Sequence, residues 1–180
     1  MKPLSVLLPA LALTSALAAP AVAMPDLVIL VRHAERAAEP AGDPALTPAG
    51  ERRAEALAQA LAGVRVNAIL TTQLRRTRDT AAPLARALGL QPRVIEASGD
   101  AAGHVQAVAA AVRGLSGAVL VVGHSNTVTA VLAALGGPEL AELCETSFHH
   151  AFVLQPAATP PRWAQFSYGE PSAAPTPGCL

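Results

Sequence analysis

Aromatic and charged side chains are both scarce in this chain of 180 residues, at 3% and 14% of the total. With so few aromatic rings, the hydrophobic core has to be built mainly from Ala, Val and Leu. The 52% of hydrophobic residues nevertheless indicates an ordered globular protein, and the length fits one domain. The formal net charge of zero argues against a general nucleic-acid partner or an anionic membrane surface.

Lysine occurs only once, as Lys2, so every other basic side chain is arginine. Arginine binds phosphate groups through two parallel hydrogen bonds, which suits it to phosphate recognition. Several catalytic motifs are missing. There is no Gly-x-Ser-x-Gly elbow, because Thr127 stands where the second glycine would be, and neither a Walker loop nor a His-Glu-x-x-His helix occurs. We therefore expect a site that needs no metal ion and no cofactor.

Cysteine is also rare, with only Cys144 and Cys179 in the chain. Their spacing resembles no metal site. In an oxidising compartment the two could pair; alternatively, Cys144 is simply buried and Cys179 is incidental. The sequence leaves both possibilities open.

The first 23 residues have the pattern of an export signal. A positive start at Met1-Lys2 precedes an apolar run from Leu4 to Ala19, and Ala21-Val22-Ala23 fits a small-x-small cleavage site. An uncleaved membrane anchor is the alternative, but Pro20 and the Ala-Val-Ala end favour cleavage. We predict a periplasmic or secreted protein that starts at Met24 and has no membrane contact after cleavage.

Short apolar runs alternate with helical patterns from Asp26 onward, which is typical of a parallel α/β sheet. We predict a single three-layer α/β/α domain with a mostly parallel sheet over residues 24–170, followed by a flexible tail over 171–180. Predicted strands cover 27–31, 66–71, 91–95, 118–122, 151–154 and 163–168. Predicted helices begin at Pro48, after Ser98 or Asp100, and at Asn126, and another carries the inward face of Thr77, Thr80, Ala81, Leu84, Ala85 and Leu88.

Basic side chains follow three of the predicted strands. Arg32-His33 follows the first, the segment from Thr71 to Arg76 follows the second, and Gly123-His124 follows the strand over 118–122. Because open α/β sheets place their sites at the carboxyl ends of strands, these residues are expected to meet at one edge. His104, on a predicted helix, is expected to be exposed.

These residue types suit phosphoryl transfer. The transferring group spreads negative charge over its oxygens, which Arg32 and Arg76 could bind with charge-assisted hydrogen bonds. His124 could donate to the same oxygens, and N–H groups of the turn from Gly123 to Thr127 could point at the anion. A neutral His33 imidazole could attack phosphorus and form a phosphohistidine.

Three motifs carry a resemblance to a known family. Val31-Arg32-His33-Ala34-Glu35 resembles the Arg-His-Gly/Ala-Glu signature of the histidine phosphatase superfamily, also called phosphoglycerate mutase-like. The segment from Thr72 to Ala81 is similar to the second signature, with Thr72 in place of the usual serine. Gly123-His124-Ser125-Asn126-Thr127 is similar to the third block. The motifs occur in family order, which is more specific than any one motif alone.

The resemblance implies a nucleophile at His33, phosphate binding by Arg32 and Arg76, and a second phosphate-pocket histidine at His124. The Leu-x-Arg spacing selects Arg76 over Arg75. The family also uses a carboxylate as the acid that protonates the leaving group, and here we prefer Glu96 to Asp100. Glu35 is expected to be structural or to face the substrate.

The implied function is a metal-independent phosphomonoester hydrolase. Its partner is a phosphorylated small-molecule substrate or a phosphorylated protein side chain. The chain is short and has few insertions that could retain a bisphosphate intermediate, so hydrolysis is favoured over mutase activity. The alternative from another class is a non-catalytic protein that binds a phosphate ligand or a partner on the same fold.

Overall fold

The structure is a computed structural model that describes residues 24–174 and 176–180. The predicted export signal over 1–23 lies outside the described residues. In chain order the elements are β1 (Leu27–Arg32), α1 (Pro48–Ala60), β2 (Val66–Thr71), α2 (Arg75–Leu88), β3 (Arg93–Val94), α3 (Ala101–Arg113), β4 (Ala118–Gly123), α4 (Val128–Ala134), β5 (His150–Gln155) and β6 (Arg162–Ser167).

The six strands form one sheet in the order β3-β2-β4-β1-β5-β6. The first four in that order run parallel, whereas β5 is antiparallel to β1 and β6 is antiparallel to β5. The predicted single α/β domain with a mostly parallel sheet is therefore confirmed. Because β1, β2 and β4 are neighbours and parallel, their carboxyl ends share one edge.

Side chains that alternate along the central strands divide the core into two layers. Val28 and Leu30 of β1 pack with α3 and α4 on one face of the sheet, and Ile29 and Val31 pack with α1 and α2 on the other. Both faces are covered, which explains the continuous apolar runs of β1 and β4. Few aromatic side chains take part; Phe152 is the largest that is fully buried.

Helix boundaries follow local capping chemistry. The Thr47 hydroxyl accepts a hydrogen bond from the Gly50 N–H at 3.1 Å, and Pro48 starts α1, as predicted. Gly89 ends α2 with a φ of 64°, a left-handed conformation in which glycine lacks the steric cost of a Cβ. Asp100, rather than Ser98, caps α3 by accepting from the Gly103 N–H.

Several predicted boundaries need correction. The third strand covers only Arg93–Val94, because only Leu70 and Thr71 of β2 pair with it. Helix α4 begins at Val128 rather than Asn126, since residues 124–127 form a turn closed by the Thr127 N–H on the His124 carbonyl. Leu88, predicted to face inward, is 38% exposed at the last turn of α2.

Among the described residues after 170 there is no helix or strand, but this segment makes specific contacts. A disulfide joins Cys179 to the buried Cys144, and the Leu180 N–H donates to the Glu142 carbonyl at 2.9 Å. The expectation of a flexible tail missed these contacts because no periodic pattern encodes them. Within the described ranges, no helix has the length and apolar character needed to cross a membrane.

Candidate active site

His33 follows the last residue of β1 and is 4% exposed. Its Nδ1 lies 2.8 Å from the backbone carbonyl of Ala34. A carbonyl oxygen only accepts hydrogen bonds, so Nδ1 carries the proton and Nε2 keeps its lone pair. Burial lowers the pKa of His33 to about 3, so this ring is neutral near pH 7. The arrangement leaves a neutral nitrogen that is able to attack.

The pairing of β1 with β4 places the second histidine beside the first. Arg32 lies opposite Gly123 in the parallel register, and the His33 N–H donates to the Gly123 carbonyl at 2.9 Å. His124 follows directly, and its ring centroid lies 5.5 Å from that of His33. Burial, and then the positive charge of Arg76, lower the pKa of His124 to about 4.

Two arginines complete the cluster. Arg32 is only 2% exposed, and Arg76 is half-buried at the start of α2. The positive charge of Arg76 contributes to the lowered pKa of both histidines. The Nε atoms of Arg32 and Arg76 are buried and have no hydrogen-bond partner among the described residues. Each is therefore a donor available for an anion, and a negative group bound between the histidines is the acceptor that suits both.

Arg75 points elsewhere. Its guanidinium pairs with Asp79 at 3.0 Å in an exposed position, and its side chain lines a groove between α2 and β3. The lining of that groove includes none of the four residues Arg32, His33, Arg76 and His124. The structure thus brings together the four predicted site residues and leaves the neighbouring arginine outside.

Comparisons with known proteins show which families and structures this chain is similar to. The family model described as histidine phosphatase superfamily (branch 1) matches residues 28–98. The structure of SixA from Agrobacterium tumefaciens is 25% identical, with a TM-score of 0.58 over 82% of this chain and 100% of that one. Residues 28–98 thus match the histidine phosphatase superfamily, and the predicted resemblance is confirmed. These similarities support a phosphatase activity.

Two further solved structures share the fold of this chain. The protein histidine phosphatase SixA complexed with tungstate is 20% identical, with a TM-score of 0.60 over 78% of this chain and 96% of that one. A mycobacterial glucosyl-3-phosphoglycerate phosphatase complexed with VO3 is 18% identical, with a TM-score of 0.58 over 79% and 98%. A search of the curated proteins finds no match.

Threonine hydroxyls connect the segments of the candidate site. Thr72 Oγ1 lies 3.2 Å from Nε2 of His124 and 3.0 Å from Oγ1 of Thr77. Thr80 accepts from the Ala34 N–H at 2.9 Å and donates to the Arg76 carbonyl at 2.7 Å. These bonds join the first turn of α2 to the residue after His33, which fixes Arg76 relative to the nucleophile candidate. Thr72 retains the hydroxyl of the family's usual serine.

Glu35 forms an ion pair with Arg53. Its carboxylate accepts from Arg53 Nε at 2.9 Å and from Arg53 Nη2 at 2.7 Å. Burial would raise the pKa of Glu35, but the Arg53 hydrogen bonds and charge outweigh it, and the net pKa is lowered. Of the two roles expected for Glu35, these contacts support the structural one.

The two candidate acids stand in different environments. Glu96 is exposed just beyond β3, and its backbone carbonyl lies 3.0 Å from Nδ1 of His104. Asp100 uses its carboxylate to cap α3. His104 is only 4% exposed, so the expectation of an exposed histidine was wrong. Its ring faces inward because it bonds to the chain segment after β3.

Part of the turn after β4 uses its N–H groups internally. The His124 N–H donates to the Thr127 hydroxyl, and the N–H groups of Thr127 and Val128 donate to the His124 carbonyl. Of the N–H donors expected from this turn, those of Ser125 and Asn126 therefore remain the candidates for an anion.

Sequence analysis missed two residues that contact Arg32. Glu145 Oε2 lies 2.8 Å from Arg32 Nη2, and its other carboxylate oxygen accepts from the Ser125 hydroxyl. The Phe148 ring centroid lies 4.2 Å from the Arg32 guanidinium carbon, a cation–π contact. Both residues belong to the loop before β5, which no motif marks. Across the described ranges, no group of three or more His, Cys, Asp or Glu side chains is arranged to hold a metal ion.

Proposed function

We propose that this protein is an exported, metal-independent phosphomonoester hydrolase that uses His33 as its nucleophile. The observation that carries this proposal is the hydrogen bond from His33 Nδ1 to the Ala34 carbonyl. It fixes the tautomer with a lone pair on Nε2, in a ring that burial keeps uncharged. The substrate class is a small phosphorylated metabolite or a phosphorylated side chain.

The first step transfers the phosphoryl group to His33. Nε2 attacks phosphorus and forms an N–P bond while the ester P–O bond breaks, and the leaving oxygen takes a proton from an acid. Arg32, Arg76 and His124 bind the phosphoryl oxygens, where their donors oppose the spreading negative charge. A dianionic phosphoryl group beside His124 favours its protonated form, which adds a donor.

The second step returns the enzyme to its starting state. Water attacks the phosphorus of the phosphohistidine, the P–N bond breaks, and inorganic phosphate leaves. The conjugate base of the acid from the first step takes the proton of the attacking water. His33 is again neutral with its lone pair on Nε2, so protons and bonds balance over the cycle. The arginines supply the positive charge for both steps, and the proposal therefore includes no metal.

Glu96 is the acid that we propose. Gln73, one residue beyond Thr72 of the site, donates to the Ala97 carbonyl at 3.0 Å and accepts from the Ala97 N–H at 2.8 Å. These two bonds attach the segment that carries Glu96 to the site. The alternatives are less suitable. Asp100 is engaged as a helix cap, and hydrogen bonds from Ser125 and Arg32, with the Arg32 charge, hold the pKa of Glu145 below its usual range.

Export is part of the proposal. The support is the signal-like sequence before Met24 and the Cys144–Cys179 bridge, since structural disulfides persist mainly in oxidising compartments. Small-molecule esters are favoured over phosphorylated proteins as substrates, because phosphohistidine proteins are rare outside the cytoplasm.

The test measures turnover of an aryl phosphate by the mature protein and traps the intermediate by rapid quenching. Wild type should turn over and carry phosphate on His33. His33→Ala should lose more than about 99% of the rate, because removing a nucleophile abolishes the covalent route. His150→Ala is the matched control, since that ring bonds to Gln165 on β6. Tight phosphate binding without turnover would instead establish a non-catalytic binding protein.

A further inference from the structure

The loop over residues 142–148, which precedes β5, surrounds the guanidinium of Arg32; we call it the arginine loop. Arg32 Nη1 donates to the Cys144 carbonyl at 2.6 Å and to the Ser147 carbonyl at 3.1 Å. Nη2 pairs with Glu145, and the Phe148 ring stacks against the guanidinium. Among the described residues, the hydrogen bonds and the cation–π contact of this buried guanidinium thus come from one loop.

The arginine loop is itself held by the end of the chain. Cys144 is bonded to Cys179, and the Cys144 N–H donates to the Leu180 carbonyl at 2.7 Å. The Leu180 N–H donates back to the Glu142 carbonyl at 2.9 Å. Cys144 therefore links the C-terminal segment to Arg32 directly: its side chain and N–H bind the tail, and its carbonyl binds the guanidinium.

These contacts leave one edge of Arg32 for an anion. Nη1 is engaged by two carbonyls, whereas Nε is buried without a partner and Nη2 has a second hydrogen. Nε and Nη2 form the edge that binds two phosphate oxygens side by side. The direction of that edge depends on where the two loop carbonyls hold Nη1.

We propose that the Cys144–Cys179 disulfide positions Arg32, so that the affinity of the site for phosphate-like anions depends on the bridge. The inference rests on the proposed function, in which Arg32 binds the phosphoryl group. Cys144 and Cys179 are positioning residues that touch no substrate. Without the bridge, the C-terminal segment separates from Cys144, the arginine loop moves, and the guanidinium loses the orientation of its free edge.

The experiment measures tungstate binding by calorimetry on mature protein with the bridge intact and on a Cys144→Ser/Cys179→Ser variant. We expect the dissociation constant to rise about tenfold without the bridge, the size of one charge-assisted hydrogen bond. The same comparison is made in an Arg32→Ala background and in an Arg76→Ala background. In the Arg32→Ala background, loss of the bridge should weaken tungstate binding less than about twofold. In the Arg76→Ala background, loss of the bridge should still weaken it about tenfold.

Comparing the effect of the bridge in the two backgrounds distinguishes positioning of Arg32 from a general loosening of the site. A tenfold loss that persists with Arg32→Ala would mean that the bridge acts on the whole site, which overturns the proposal. Equal affinities with and without the bridge overturn it as well. Failure of the proposed function looks different, because wild type with its bridge intact would then bind no tungstate or would hydrolyse no aryl phosphate.

A second variant covers the case in which the serine pair does not fold. Deletion of Leu180 keeps both cysteines but removes the two backbone hydrogen bonds between the tail and the arginine loop. Circular dichroism checks that this protein is folded. We expect its tungstate dissociation constant to rise about threefold, because the loop is held both by these two hydrogen bonds and by the disulfide bridge, which remains. An unchanged affinity in the folded deletion variant contradicts the proposal.

Discussion

Two histidines, the buried His33 and the partly buried His124, should make the folded protein sensitive to mild acid. The folded-state pKa is about 3 for His33 and about 4 for His124, mainly because burial disfavours the charged ring. In the unfolded chain both return to about 6.5. A folded pKa below the unfolded one means that the unfolded state binds more protons as the pH falls. The stability contribution is therefore fully present above about pH 6.5 and is lost below it.

The size of the loss follows from the two pKa values. Between pH 7 and pH 5, an unfolded imidazole takes up most of one proton while the buried ring stays neutral, which costs about 2 kcal/mol of unfolding free energy. His33 and His124 together should therefore cost about 4 kcal/mol, a large share of the stability of about 5–15 kcal/mol that is typical of a domain.

Urea unfolding at pH 7 and pH 5 tests this reasoning. The compared quantity is the change in unfolding free energy between the two pH values, in wild type and in a His33→Gln/His124→Gln variant. All other titrating groups are common to both proteins and cancel, as does any difference in absolute stability. Wild type should lose about 4 kcal/mol more than the variant. Equal losses would refute the assignment of both rings as buried and neutral.

Three further predictions concern the proposed chemistry and compartment. Arg76→Ala should lower kcat/KM for an aryl phosphate by about a hundredfold, whereas Arg75→Ala should change it less than about threefold, because Arg75 is an exposed partner of Asp79. Comparable losses would contradict the placement of Arg76. Exhaustive chelation should leave kcat unchanged; a loss restored by one divalent metal argues against a metal-free site. Intact mass of the protein from its natural host should begin at Met24, and a full-length cytoplasmic mass would refute export.

Much of the fold was predictable because its signals are local. The runs over 27–31 and 118–122, which form most of β1 and β4, are apolar throughout, as expected of strands covered on both faces. Thr47-Pro48 marked the start of α1, and Gly89 marked the end of α2. β3 was predicted too long, because pairing with only two residues of β2 sets its length and no property of its own sequence does.

The same difference between local and long-range signals decides which parts of the candidate site were predictable. Arg32, His33 and His124 lie at the ends of strands whose parallel pairing is predictable, so their proximity followed from the fold. The position of the arginine loop did not follow from the fold, since its contact with Arg32 joins positions more than a hundred residues apart. His104 was misjudged for a related reason: its burial depends on the segment after β3 that covers it, not on the face of its own helix.

The two unpartnered arginine donors connect the stability of this site with its function. A buried donor without an acceptor costs about 1–3 kcal/mol, and such groups are rare in folded proteins. Arg32 and Arg76 each bury an Nε in this condition, next to two rings that burial keeps uncharged. A phosphoryl group supplies acceptors to both arginines and a negative charge that favours protonation of His124. A bound anion therefore satisfies both arginine donors, as selective binding of a charged transition state requires.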